Sequence, residues 1–235
     1  SDFSEPTWAQ KTGEVCDLVQ IPAYLCRQTS ILKAAASTKK PIHLKKGQFM
    51  SPWNMKNSVR KLESFGCNEV ILTDRGTFFG YNQLVNDMTS LPIMRKIGYP
   101  VCFDATHSIQ LPTSMGNISG GQREFIPHLA RAAIAVGVSA IFIETHEDPD
   151  NAPSDGPNMV QLNELKGLLN REFGCFLFIL PDFFSIITEF FDFDFACSIL
   201  LSVLFVFPVI DNFSLFFSIK HILIFVNFAS SRHYQ

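Results

Sequence analysis

Pro100–His107 reads PVCFDATH, a short apolar run opened by proline and closed by an aspartate and a histidine. Runs of this length and composition are what parallel strands buried on both faces look like, and a polar residue at the end puts chemistry where the strand stops. Four more runs have the same form: Val15–Pro22 (VCDLVQIP), Pro41–Lys46 (PIHLKK), Glu69–Arg75 (EVILTDR) and Ala140–His146 (AIFIETH). Amphipathic stretches separate them at Trp53–Phe65, Leu84–Ile97 and Glu124–Val136, the last with Leu129, Ala132, Ala133 and Val136 at helical spacing. The closing side chains Gln20, Lys45, Arg75, His107 and Glu144 follow one another at intervals of 25, 30, 32 and 37 residues, each room for one strand, one helix and their loops.

This β-α alternation predicts an α/β chain of the (β/α)8 TIM-barrel class, in which strand ends converge on one rim and build the active site there. An open doubly wound sheet would gather ligands only near its switch point, and no G-x-G-x-x-G follows any strand. Five strands and the stub Ser1–Phe3 account for six of the eight units. Residues 1–172 are also short of the usual ~200–250. The expectation is an incomplete barrel lacking about two units at its front.

Composition bounds what the chain can do. In 235 residues and 26.4 kDa, 47% are hydrophobic and 17% charged, with mean hydropathy +0.16, so a large core is available and disorder throughout is excluded. The formal charge of −3 and pI near 6.1 supply no basic excess to displace the counterions of a phosphate backbone, which argues against a nucleic-acid partner. Six cysteines are scattered with no C-x-x-C pair and no leader of secretory type opens the chain, so a reducing, cytoplasmic setting is expected.

Character changes abruptly near residues 172–176. Of the 24 Phe, 16 lie in 173–235, where Lys220 and Arg232 are the sole basic residues. The chain therefore divides into a partial barrel, 1–172, and an apolar tail, 173–235. Such a composition matches thymine-rich DNA translated outside its proper frame. The uncharged run Phe195–Ile210 offers a membrane anchor as the alternative, but at 16 residues it is shorter than the ~20 that cross a bilayer.

Lys45 and Arg75 at adjacent strand ends suit a phosphate or carboxylate, one as a point charge and the other as a fork. Structural ion pairs with Asp74, Glu69 or Asp104 are the plainer reading. His107, Glu144 and Asp155 form a nitrogen–oxygen set able to hold a divalent cation or to move protons without one. Ser119–Gly121, ahead of a helix starting near Arg123, could cradle a phosphate on backbone amides or be an ordinary loop. Asp155–Pro157 could likewise be a plain turn.

The segments QIPAYLCRQT (Gln20–Thr29), HLKKGQF (His43–Phe49), LTDRGTFFGY (Leu72–Tyr81), FDATHSIQ (Phe103–Gln110), SGGQRE (Ser119–Glu124) and FIETHEDPDNAPSDGP (Phe142–Pro157) are co-linear and continuous enough to be specific. Together they resemble the 3-deoxy-D-manno-octulosonate 8-phosphate synthase family from Ser1 to about Arg171. The tail has no counterpart there. The resemblance implies a homotetrameric (β/α)8 barrel that condenses phosphoenolpyruvate with D-arabinose 5-phosphate and water, for lipopolysaccharide synthesis.

By the same resemblance Lys45 and Arg75 would hold phosphoenolpyruvate, with Gln20 and Ala23 lining the pocket, and Arg27 would reach the aldose phosphate across a subunit interface. His107, Glu144 and Asp155 would bind a divalent metal ion in one class of the family and surround water in the other, which needs no cofactor. Asp2 would stand near the aldehyde. On this reading Lys45, His107, Asp155 and Asp2 carry the catalysis. Family lysines and an Asn-Arg-Ser phosphate clamp precede Ser1, Ser4 stands where the family has histidine, and Ser154 before Asp155 leans towards the metal class. A related synthase taking erythrose 4-phosphate or an N-acetylmannosamine-type acceptor is the runner-up, and a non-catalytic fragment anchored to a membrane by Phe195–Ile210 is the reading from outside the enzymes.

Overall fold

In the computed structural model of the protein, residues 2–115, 118–177, 214–219 and 222–228 are described. Five parallel strands form its centre: β1 (Val19–Ile21), β2 (Ile42–Lys45), β3 (Val70–Asp74), then β6 (Val101–Asp104) and β9 (Ala140–His146). Between the third and fourth lie two-residue strands β4 (Thr77–Phe78) and β5 (Leu84–Val85), paired with each other. A second hairpin, β7 (Gln110–Met115) with β8 (Ile118–Gly121), precedes β9, and β10 (Val160–Gln161) follows it. Asp2 makes a parallel bridge to Gln20, so the sheet has six parallel rungs in chain order. This is the curled half-barrel expected of an incomplete (β/α)8 unit.

Helices α1 (Ala9–Val15), α2 (Thr29–Ser37), α3 (Met55–Ser64), α4 (Ser90–Arg95), α5 (Ile126–Val136) and α6 (Leu162–Leu177) connect the rungs. Period-2 alternation along each strand decides what faces what. Val19, Ile21, Ile42, Leu44, Leu72, Val101, Phe103, Ile141 and Ile143 pack outward against apolar helix faces such as Leu32 and Ala35, Val59 and Leu62, and Ala130 and Ile134. The alternate positions turn inward: Gln20, His43, Lys45, Thr73, Cys102, Asp104, Phe142 and Glu144. Among the described residues a small apolar cluster, Cys102, Ala140 and Phe142 with Leu18 and Ile71, sits on that side. The polar interior is thus a property of register: His43 lies beside Gln20, Lys45 beside Thr73, and Asp104 beside Phe142.

Three local expectations change. The first strand begins at Val19 rather than Val15, because the Val15 end of the run closes α1 with Cys16 N–H on the Thr12 carbonyl. The helix expected over Leu84–Ile97 is shorter, since Leu84–Val85 pairs with Thr77–Phe78 and α4 starts only after the Asp87 turn, whose carboxylate accepts from Thr89 N–H. Ser119–Gly121 is part of a β-strand opposite Gln110–Leu111 and not a helix-entry loop, and the Gly120 N–H donates to Ser114 Oγ at 3.1 Å.

Residue 172, the expected end of the barrel portion, falls inside α6. Farther on, β11 (Ser214–Ile219) pairs antiparallel with β12 (Ile222–Phe228), which lies parallel to β9 from Leu223 opposite Ala140 to Phe228 opposite Thr145. The candidate anchor Phe195–Ile210 lies outside the described residues. Among those described, no helix is long and apolar enough to cross a membrane. Cys16, Cys26, Cys67 and Cys102 are free thiols.

Candidate active site

At the carboxyl ends of β2, β6 and β9 a chain of buried charges crosses the inner face. Lys45 Nζ donates to Asp104 Oδ2 at 2.8 Å and stands 3.9 Å over the centre of the Phe142 ring. His107, in the single turn that follows β6, brings Nδ1 to 2.8 Å from the same Oδ2, off the ring N–H axis, and Nε2 to 3.1 Å from Glu144 Oε2. Asp104 Oδ1 accepts from the His107 backbone N–H at 2.9 Å and from Thr106 Oγ1 at 3.1 Å, while Thr106 Oγ1 accepts the Glu144 N–H at 3.1 Å. Asp104 has no solvent exposure.

Electrostatics follow from this packing. Burial disfavours charge on all three groups, but His107 and Lys45 outweigh it for Asp104, which is held well below the usual carboxylate range. For His107 burial is outweighed by Asp104 and Glu144, which raise it to about 9. Glu144 is lowered by His107 against the same burial cost. The set is therefore a cation–anion–cation–anion sequence at neutral pH.

A second chain runs from the first rungs. Gln20 Nε2 donates to Asp2 Oδ2 at 3.3 Å, and its Oε1 lies 3.0 Å from His43 Nδ1; His43 Nε2 meets Thr73 Oγ1 at 2.5 Å. Burial, aided by Lys45, pushes His43 down to about 3, so the ring is neutral: Nδ1–H donates to Gln20 and Nε2 accepts from Thr73. Both histidines lie against Phe142, with ring centres 5.7 Å (His43) and 5.8 Å (His107) away.

Arg75 is buried at the end of β3 and donates from Nη2 to Gln110 Oε1 at 2.7 Å, and Gln110 Nε2 donates to Asp155 Oδ1 at 2.5 Å. Burial lowers Arg75 from its ordinary value, opposed by Asp104 and Asp155. Asp155 is held by a left-handed backbone, φ 52°, entering the Gly156–Asn158 turn. That turn reaches the β7–β8 hairpin because of two glycines: a Cβ on Gly121 would clash with Asn158, and one on Gly156 with the Pro149 carbonyl.

One donor atom from each of His107, Glu144 and Asp155 lies within 4.8 Å of the other two. Nitrogen with two carboxylates fits Mn²⁺, Fe²⁺ or Zn²⁺, and a metal would have to displace the proton that His107 carries. Asp2, Gln20, Lys45, Arg75, His107, Glu144 and Asp155 thus belong to the connected inner face, with Ala23 buried in the turn after β1. Arg27 does not join them: it is exposed and lines a separate cavity of about 220 Å³ with Phe49, Asn54, Asn57 and Lys61, whose Nζ donates to the Arg27 carbonyl. The sequence reading missed His43, Thr73, Gln110 and Phe142 altogether and weighed Asp104 only as a strand-end residue beside His107 and as a structural ion-pair partner. The spacing of two in His43/Lys45, Cys102/Asp104 and Phe142/Glu144 was the signal that could have found three of them.

Comparison with known proteins places this arrangement. The chain is 57% identical over 171 residues to the 2-dehydro-3-deoxyphosphooctonate aldolase of Cyanothece sp., covering 73% of this chain and 63% of that one. It is 57% identical over 169 residues to the protein of that name in Caulobacter vibrioides, 72% and 59% of the respective chains. For the Chelativorans sp. protein of the same name identity is 60% over 159 residues, 68% and 58%. The matched part thus spans about three fifths of the length of these relatives. A family model described as the DAHP synthetase I family matches residues 1–172, which contain every residue of the inner-face site, and the chain belongs to that family.

Proposed function

We propose that the inner-face cluster is a phosphoenolpyruvate–aldose phosphate condensation site that makes 3-deoxy-D-manno-octulosonate 8-phosphate from phosphoenolpyruvate, D-arabinose 5-phosphate and water. The observation that carries this reading is the alignment of two buried cations, Lys45 and Arg75, on the same face as His107, Glu144 and Asp155. The names of the relatives support the product, and a cytoplasmic setting goes with phosphorylated sugar substrates.

In the reaction, C3 of phosphoenolpyruvate attacks the aldehyde carbon and the aldehyde oxygen takes a proton. Water adds to C2, and the hemiketal phosphate breaks its C–O bond to release inorganic phosphate. Lys45 and Arg75 hold the carboxylate and phosphate of the enol, so the nucleophilic carbon is oriented without loss of entropy at the moment of reaction. His107 stands between Asp104 and Glu144 and can hold or pass a proton at Nε2, the nitrogen facing Glu144. A divalent ion held by His107, Glu144 and Asp155 would supply Lewis-acid polarisation of an oxygen ligand. Gln20, oriented by His43, turns its amide N–H towards Asp2 at the first rung, where the aldehyde is placed. Arg27, on its outward cavity, suits an aldose phosphate shared with a second subunit, in keeping with a homotetramer.

The test is phosphate release by the purified chain, followed by ³¹P NMR, with arabinose 5-phosphate, erythrose 4-phosphate and N-acetylmannosamine offered in turn. The expected result is turnover confined to arabinose 5-phosphate and well below that of a full-length relative, because the matched part spans only about three fifths of such a relative's length. Preference for either other acceptor would overturn the substrate assignment, and a rate near that of a full-length relative would overturn the expected impairment.

A further inference from the structure

We infer that Asp104 is a positioning residue: it ties Lys45 and His107 to one buried carboxylate and so fixes the distance between the anion-holding and proton-holding parts of the site. This deepens the function proposed above and rests on it for what the two groups are positioned to do. The geometry has three independent parts. Oδ2 is shared, 2.8 Å from Lys45 Nζ and 2.8 Å from His107 Nδ1, so neither cation can shift without weakening the other's contact. Oδ1 is occupied from below by the His107 backbone N–H and by Thr106 Oγ1, which pins the carboxylate plane. Thr106 Oγ1 also accepts the Glu144 backbone N–H, so the same anchor reaches the strand that carries the third group. Asp104 touches no solvent and therefore acts through these partners and not on substrate.

Lys46 is a built-in control for the fold. It is as buried as Lys45, but its Nζ is held by the Gly47, Met50 and Gly76 carbonyls and Thr77 Oγ1 and pairs with Asp74, not with Asp104.

The experiment labels the ligand-free full chain and its Asp104→Asn variant by reductive methylation of lysine and by diethylpyrocarbonate on histidine, each read by mass spectrometry. Loss of the charge that the two cations share predicts labelling of Lys45 and His107 faster by on the order of tenfold, with Lys46 unchanged. If Lys46 becomes reactive together with them, Asp104 holds the fold and the proposal is wrong; if none does, it holds neither group and the proposal is equally wrong. A second arm titrates phosphoenolpyruvate into the wild type, D104N, K45M and the double variant. Action through Lys45 requires that D104N add nothing to the loss caused by K45M, and additive losses contradict it. A wild type that binds no phosphoenolpyruvate counts against the substrate reading, while the labelling arm still decides the role of Asp104.

Discussion

Two histidines lie against one phenylalanine, Phe142, and meet opposite fates. His43, on β2, is walled in by the neutral partners Gln20 and Thr73 with Lys45 on its own strand, and it is driven down to about 3. His107, past the end of β6, is almost as buried but faces Asp104 and Glu144, and it is driven up to about 9. Residue type, aromatic neighbour and burial are shared; two carboxylates in contact with His107, against Lys45 as the chief charge near His43, separate them. The neutral ring is a hydrogen-bond relay that orients Gln20, and the charged ring is a cation with a proton to give. Desolvation alone makes neither role, because it pushes both rings the same way.

The strongest way to break the contrast is to remove its source. Asp104→Ala leaves two cations buried without their anion, which costs on the order of 3–5 kcal/mol, and chemical denaturation should show that loss while His43→Gln shows less.

Next in size is the pH dependence of stability, which carries opposite signs for the two rings. His107 binds its proton more tightly folded than unfolded, so its contribution is complete below the ordinary value of 6.5 and is lost as pH rises through about 9. His43 binds more weakly when folded, so its contribution is present above 6.5 and is lost as pH falls towards about 3, alongside that of Asp104 and Glu144. Stability should therefore peak near pH 6.5. The alkaline limb should amount to at most about 3 kcal/mol and disappear in His107→Gln, which should also shrink the acid limb, because His107 is the group that chiefly lowers Asp104 and Glu144.

A smaller effect is expected from Thr106→Val, which keeps the shape but removes the oxygen between Asp104 and the Glu144 amide. About 1–2 kcal/mol of stability should go, measurable as a shift in denaturation midpoint without a change in slope. Phe142→Leu should cost about 1 kcal/mol beyond lost area by removing the ring under Lys45, and it should bring the titration of the two histidines closer together in NMR.

How much of this was legible in the sequence depended on the kind of interaction. Strands such as Ile42–Lys45 and Val101–Asp104 declared themselves because burial on both faces leaves a dense apolar run, and α3 and α5 because one apolar stripe repeats. Lys45, Arg75, His107 and Glu144 stood out as charges ending those runs. His43 did not, because within a run a polar residue reads as an interruption until register assigns it to the inner face, and Asp104, though it closes its run with His107, gave no sign of the two cations it joins. Ser119–Gly121 misled because glycines ahead of a helix look like a loop, whereas close approach to Asn158 requires Gly121 in a strand. Arg27 carried no local sign that it faces outward, since that depends on how the turn after β1 is wound.

The most direct test of the central claim, that the inner face is one phosphoenolpyruvate site, is calorimetric titration of phosphoenolpyruvate into the full chain and into its Lys45→Met and Arg75→Met variants. The account predicts saturable binding to a single site per chain, weakened by on the order of tenfold or more in each variant, since each loses a charge-assisted contact. Binding that is absent from the wild type, or that survives both substitutions unchanged, would contradict it.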